Sequence, residues 1–352
     1  SLIKDASGNH YTVTQSINRI KKTTLLICKY SKAGDKLWEY EYEALNNRNA
    51  NFCKAFALDN DYVKVFINIR GYENGEYIDY HEALTINAEG MLEYFTNFEA
   101  TSYEFIVSNL NNKHYYLKYW INNDSFISCR QEDDNEVWQI KVNNDPDLNQ
   151  SIIVGVDKSA SLYLLNASKL WKINLQGEKD WVYAIDENQI VKQGLEFDKS
   201  DNIIFWFNNK TGDNKLQFHL HKITPDGNLV MKTSNPDILD CIKVWPRNDG
   251  SFTIFGEIDS NAFATSMTAM YSVDENGGFL NRQDFIFDPY LFGKYGKCTI
   301  EIGANNESLY LTTPNKLLKF GDQGKYLGAL TIDSFNFAVS NTKYHSIVNI
   351  EP

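Results

Sequence analysis

One phrase recurs along this chain, and it limits the possible folds more than any other feature. Its clearest copy is Leu26-Ile27-Cys28-Lys29-Tyr30-Ser31-Lys32-Ala33-Gly34-Asp35-Lys36-Leu37-Trp38, an apolar strand with a lysine near its end, a polar turn closed by glycine, and an aromatic four residues later. Leu170-Trp171-Lys172-Ile173-Asn174-Leu175-Gln176-Gly177 leads to Trp181 in the same way, and Leu220-His221-Lys222-Ile223-Thr224-Pro225-Asp226-Gly227 repeats the strand and turn. Weaker copies turn at Gly90, Asp134-Asn135, Gly277 and Gly324. The turns near Gly34, Gly90, Asp134, Gly177, Gly227, Gly277 and Gly324 are spaced by 43 to 56 residues. Fixed-period similarity of about 40–50 residues is the mark of a four-stranded propeller blade, whereas solenoid repeats are usually shorter. Glycine suits such turns because a tight strand connection often needs a positive φ.

A second element precedes each copy: an apolar strand, a turn of Asp, Asn, Ser or Gly, and another apolar strand. Leu195-Glu196-Phe197 before Asp198-Lys199-Ser200-Asp201-Asn202 is one example, and Val244-Trp245 before Arg247-Asn248-Asp249-Gly250 is another. Each repeat therefore predicts four strands, A to D, with short A–B and C–D hairpins. Runs such as Ile203-Ile204-Phe205-Trp206-Phe207 are apolar on both faces, as expected of a sheet sandwiched between neighbours. The predicted fold is all-β, a seven-bladed β-propeller of four-stranded antiparallel blades formed by residues 1–352 as one domain. A hairpin-like tail, Phe335–Val339 and Tyr344–Val348, either completes blade one or opens an eighth blade.

The repeat Leu-x-Lys-x-x-x-x-Gly-x-x-x-Trp resembles that of the quinoprotein-dehydrogenase-like propellers and related bacterial extracytoplasmic repeats. The resemblance implies that the tryptophan after the turn docks adjacent blades. Trp38, Trp138 and Trp181 match that position, Tyr94 substitutes for it, and Met231, Asn281 and Gly328 replace it elsewhere. Quinoproteins often hold their quinone against an adjacent-cysteine disulfide. This chain has no Cys-Cys pair, so no cofactor residue carries over and none is expected.

Composition narrows the function classes. A net charge of −12 argues against a nucleic-acid binder, which needs a basic stripe to displace counterions. No window of about 18 apolar residues predicts a membrane span. Cys28, Cys53, Cys129, Cys241 and Cys298 are too widely spaced for a zinc knuckle, and each lies in a run that reads as a strand. His219-Leu220-His221 places two imidazoles on one strand face, but no third ligand is near in sequence, so ordinary strand histidines are expected. Asp133-Asp134-Asn135-Glu136 lacks the alternation of a calcium loop and reads as a solvated turn. No catalytic or metal residue is predicted.

Length varies most between the A–B and C–D turns, which assigns the variation to the B–C loops, where binding usually resides. The longest such segment, residues 71–82, offers Tyr72, Glu73, Glu76, Tyr77, Asp79 and Tyr80; tyrosine supplies rigid amphipathic contact area at low entropic cost. The most apolar D–A loop adds Tyr290 and Phe292. These eight residues are the predicted binding set. The expectation is a monomeric, non-catalytic binding or scaffold propeller that engages a protein or glycan on its loop-bearing face. It is expected to be extracytoplasmic: periplasmic, cell-surface or secreted. The alternative is an enzyme of lyase, glycosidase or quinoprotein type with its site in the central channel.

Overall fold

A computed structural model describes residues 2–331 apart from residue 6 and the segments 18–22, 45–47, 59–60, 74, 99–102, 108–113, 122–123, 149–150, 167, 187–189, 213–214, 259–266, 287–298, 303–308, 313–315 and 321–325. The Gly324 turn, the tail at 335–348, Tyr290 and Phe292 lie outside the described residues.

Among the described residues, seven four-stranded sheets, each made of strands in chain order, form the blades of a β-propeller. Blade one holds β1 (Leu2–Lys4), β2 (His10–Ile17), β3 (Thr23–Tyr30) and β4 (Lys36–Glu43). Blade two holds β5 (Arg48–Ala57), β6 (Val63–Glu73), β7 (Glu76–Ile86) and β8 (Leu92–Phe98). Blade three holds β9 (Tyr103–Val107), β10 (His114–Ile121), β11 (Asp124–Gln131) and β12 (Glu136–Lys141). Blade four holds β13 (Ile152–Val156), β14 (Leu162–Asn166), β15 (Lys169–Ile173) and β16 (Lys179–Ala184). Blade five holds β17 (Ile190–Phe197), β18 (Ile203–Lys210), β19 (Leu216–Ile223) and β20 (Leu229–Asn235). Blade six holds β21 (Ile238–Pro246), β22 (Phe252–Ile258), β23 (Met267–Val273) and β24 (Phe279–Ile286). Blade seven holds β25 (Thr299–Ile302), β26 (Leu309–Thr312), β27 (Lys316–Phe320) and β28 (Tyr326–Thr331). By contacts the chain divides into two compact units: Ser1–Leu162 with Ile173–Lys179, and Tyr163–Lys172 with the described chain from Asp180 onward.

One turn geometry builds the hairpins at the uniform end of the blades. At Ser31, the amide donates to the Asp35 carbonyl at 2.8 Å, and the Gly34 amide donates back to the Ser31 carbonyl at 2.9 Å. The same two bonds recur from Asn87, Gln131, Asn174, Thr224 and Asp274 in C–D turns, and from Asp5, Asp157, Asp198 and Arg247 in A–B turns. The fourth residue of each has positive φ: Gly34, Gly90, Asp134, Gly177, Gly227 and Gly277 in the first group, Gly8, Ala160, Asp201 and Gly250 in the second. This is a type I turn followed by a left-handed bulge residue, which matches the twist of the flanking strands. The opening side chain reinforces it. Asn174 Oδ1 accepts from the Gln176 and Glu178 amides, and Asp198 Oδ1 from those of Ser200 and Asn202. The predicted turns at 34, 90, 134, 177, 227 and 277 thus stand where the repeat puts them.

Burial follows the pattern. In the first unit, Val13, Leu25 and Ile27 of blade one share a core with Val65, Ile67 and Leu84 of blade two. Phe66 and Ala83, on the other face of blade two, pack with Tyr115 and Leu117 of blade three. In the second unit Ile204 and Leu220 of blade five pack with Val244 and Ile254 of blade six. Adjacent residues along one strand thereby serve two different interfaces, so strands such as β18 are buried along almost their whole length.

Candidate functional site

Three blade junctions share one latch. The Trp38 indole on β4 donates to the Ala88 carbonyl at 2.8 Å, in the C–D turn of the next blade. Trp138 donates to Leu175 at 2.8 Å and Trp181 to Pro225 at 2.9 Å, each again one blade on. The glycine of each receiving turn lies against the ring: a Cβ on Gly90, Gly177 or Gly227 would stand 2.8–3.0 Å from indole carbons. Those glycines therefore serve close approach as well as positive φ. A B-strand tyrosine meets each indole at 5.8–5.9 Å between centroids, in the pairs Tyr11–Trp38, Tyr116–Trp138 and Tyr163–Trp181. Tyr11 and Tyr116 also donate their hydroxyls to the Asp61 and Ala160 carbonyls, the left-handed residues of the following A–B turns. The docking role implied for Trp38, Trp138 and Trp181 is thus realised in the structure.

Blade two departs from this scheme at both ends. At its turn end, Tyr94 occupies the tryptophan position, Lys64 the tyrosine position, and Asp134 the glycine position of the next turn. Lys64 Nζ is wholly buried, pairs with Asp134 Oδ1 at 2.5 Å and donates to the Glu132 carbonyl at 2.7 Å. Tyr115 also donates to Asp134, as does Thr96 at 2.5 Å. Burial pulls the Lys64 ammonium below the ordinary lysine range, with the carboxylate of Asp134 opposing it.

The other end of blade two holds the predicted binding segment, and its conformation corrects the expectation. Residues 71–82 are not a loop. Strands β6 and β7 run 11 residues each and pair to the tip, Tyr72 opposite Tyr77 and Glu73 opposite Glu76, around Gly75 at φ 88°. Blade four makes the contrast, with β14 and β15 of 5 residues each, so the extra length of blade two lies in the strands. Asn74-Gly75 between β-prone, alternating residues is the strongest short hairpin signal, and it accounts for the ladder. Among the described residues, β5 pairs with β6 as far as Gly71 and β8 with β7 as far as His81.

Because side chains alternate across a strand, the hairpin sorts the predicted residues onto opposite faces. Tyr72 and Tyr77 lie on one face, 67% and 58% exposed, in an edge-to-face pair with centroids 5.6 Å apart. Asp79 shares that face, where Asn68 Nδ2 donates to it at 2.7 Å and Arg70 Nε at 3.1 Å. Tyr80 lies on the other face, packed toward blade one. Its hydroxyl accepts from Arg48 at 2.8 Å and donates to Glu82 Oε1 at 3.1 Å, and Tyr42 donates to Glu82 Oε2. Burial and then the Glu82 carboxylate hold the Tyr42 phenol well above the ordinary range, and the same two causes raise Tyr80. Both phenols act there as hydrogen-bond donors. Glu76 is exposed at the tip, opposite Glu73 in register. The structure therefore brings Tyr72, Tyr77 and Asp79 together and separates Tyr80 from them. The sequence reading missed Arg48, Arg70 and Asn68, whose roles follow only from cross-strand register.

The remaining candidates have local explanations. His219 stacks on Phe207 at 4.9 Å and bonds Asn209 at 3.0 Å, while His221 bonds the Tyr183 hydroxyl at 3.1 Å. Among the described residues no group of three His, Cys, Asp or Glu side chains is placed to hold a metal. Cys28, Cys53, Cys129 and Cys241 are free thiols, and burial pushes Cys53 and Cys129 up to about 11. No described helix is long and apolar enough to cross a membrane.

No protein-family model and no curated protein matches the sequence. Solved structures do. The Dos1 propeller superposes with a TM-score of 0.58 at 8% identity, covering 95% of this chain and 84% of that one. The apo form of prolyl oligopeptidase B from Galerina marginata gives 0.52 at 11% identity, covering 92% of this chain and 52% of that one. The WD40 domain of SCAP from fission yeast gives 0.47 at 10% identity, covering 92% and 85%. At such identities the likeness is one of architecture, and the architecture is the β-propeller.

Proposed function

We propose that this chain is a binding or scaffold propeller that engages a protein or glycan partner from the end of its blades opposite the uniform turns. The observation that carries this reading is the β6–β7 tip, where two mutually packed tyrosines remain largely exposed. Ordinarily an edge-to-face aromatic pair would be covered by its own protein; exposed on a hairpin paired to its tip it is a preorganised contact surface. Asp79, fixed by Asn68 and Arg70, sets a polar group beside it. In this reading the repeat belongs with the quinoprotein-like and bacterial extracytoplasmic propellers, which assigns the chain to an extracytoplasmic setting.

The test is binding of the full chain to glycan and peptide arrays, repeated with Tyr72→Ala/Tyr77→Ala. Binders of the parent chain are expected to lose at least tenfold in affinity while the thermal unfolding midpoint stays put. Binders that the double variant retains at full affinity would sink the placement.

A further inference from the structure

The outer strand of blade two differs from most other outer strands in a way the hairpin tip does not explain. Strands β4, β12, β16, β20 and β24 each carry a lysine or arginine, whereas β8 and β28 carry none. Charged side chains, lysine above all, are the usual means of keeping a free sheet edge from pairing with another chain. On and just before β8, Met91, Leu92, Tyr94 and Phe95 are all 41–60% exposed. As successive strand residues, Tyr94 and Phe95 point to opposite faces, so apolar surface flanks both sides of the edge. Tyr94 is exposed for a reason. It holds the position where Trp38, Trp138 and Trp181 dock, but the next turn offers Asp134, already engaged by Lys64, Thr96 and Tyr115, instead of a glycine seat. Acidic groups lie on one side of the patch: Glu93 stands on β8 itself, bonded by Asn87 Nδ2 at 3.2 Å. Burial and then Glu93, Glu89 and Glu132 act on the Tyr62 phenol, while Arg130 lies over the Phe98 ring at the far end of the strand.

We propose that the edge of β8 takes up an extended segment of a partner protein, one that alternates basic and apolar residues, as an added strand. Main-chain hydrogen bonds to β8 supply the affinity. Side-chain contacts with Tyr94 on one face and Phe95 on the other, and with the acidic rim, supply the selectivity. A second copy of this chain is a poor occupant, because two copies at net charge −12 would bring like acidic rims together. This site is independent of the Tyr72–Tyr77 tip.

The test uses the full chain and a fluorescein-labelled peptide of alternating lysine and valine, with two controls: the same peptide N-methylated on alternate amides, and one with glutamate for lysine. Expected results are saturable anisotropy with the parent peptide, slowed amide exchange confined to 91–97, and at least tenfold weaker binding of both controls. Phe95→Lys is expected to weaken binding by at least tenfold, and Tyr94→Lys gives a second reading should Phe95→Lys misfold. Tyr72→Ala/Tyr77→Ala is expected to leave it unchanged. Equal binding of the N-methylated peptide, protection at the β6–β7 tip, a dimer joined through β8, or no binding at millimolar peptide would each overturn the proposal.

Discussion

The junction between blades one and two and the junction between blades two and three solve the same packing problem with different chemistry. The first uses Tyr11, Trp38 and Gly90: an aromatic pair, an indole donor and a turn left open for the ring. The second uses Lys64, Tyr94 and Asp134: a buried ammonium, a displaced ring and a left-handed aspartate. Gly90 is open because Trp38 fills it, and Asp134 is tolerated because no indole comes. Three positions have changed together. A latch of this kind is a unit whose members make sense only in each other's company. The comparison also separates two sources of strength, apolar contact with a neutral hydrogen bond at one seam, and a desolvated ion pair at the other.

Breaking the polar seam should have the largest effect. Asp134→Ala leaves the Lys64 ammonium buried without its carboxylate, and a loss of about 3–5 kcal/mol in chemical denaturation is expected. The transplant Lys64→Tyr/Tyr94→Trp/Asp134→Gly should recover most of that loss; a triple variant no more stable than Asp134→Ala would refute the idea of an interchangeable unit. Trp38→Ala should come next, at about 2–3 kcal/mol, because the half-buried indole loses its neighbours and its bond to Ala88.

Glycine substitutions sharpen the account of close approach. Gly177→Ala and Gly75→Ala both place a side chain at positive φ, at φ 84° and 88°, a cost of about 1–2 kcal/mol. Only Gly177 has an indole 3.0 Å from the new Cβ, whereas Gly75 meets nothing within 4 Å. Gly177→Ala should therefore be the more damaging, and equal thermal shifts would show that the turn conformation alone matters.

The smallest effect concerns the buried lysine pairs and pH. Lys222 pairs with Asp198 at 3.0 Å. Burial pushes the Asp198 carboxyl up, but bonds from Asn202 and Lys222 outweigh it and leave it below the ordinary range. A group depressed in the folded state stabilises above its unfolded value near 4, and that stability fades as pH falls through the folded value. Unfolding free energy should decline below about pH 4, and Asp198→Asn should flatten this acid limb. An unchanged limb would assign the acid sensitivity to other carboxylates.

The turn phrase was legible because a left-handed bulge residue and the side chain opening the turn are local demands, written within five residues. Hence Gly34, Gly90, Asp134, Gly177, Gly227 and Gly277 could be placed without coordinates. Length variation between repeats points to the connections and so to a loop at residues 71–82, yet Asn74-Gly75 in the same segment signals the hairpin that forms. Treating Tyr72, Tyr77, Asp79 and Tyr80 as one surface failed for a different reason. Alternation sends Tyr80 to Arg48 and Glu82, and sequence proximity does not reveal which blade each face meets.

By itself the sequence determined the strand repeat, the turn geometry and the positions of the docking indoles, since each rests on short-range backbone demands repeated at a regular period. Tertiary structure alone decided which residues lock a seam and which stay exposed. Whether Tyr94 has a seat depends on Asp134, and Asp134 depends on Lys64, 70 positions before it. Burial and charge pairing across blades are properties of that meeting, not of either segment.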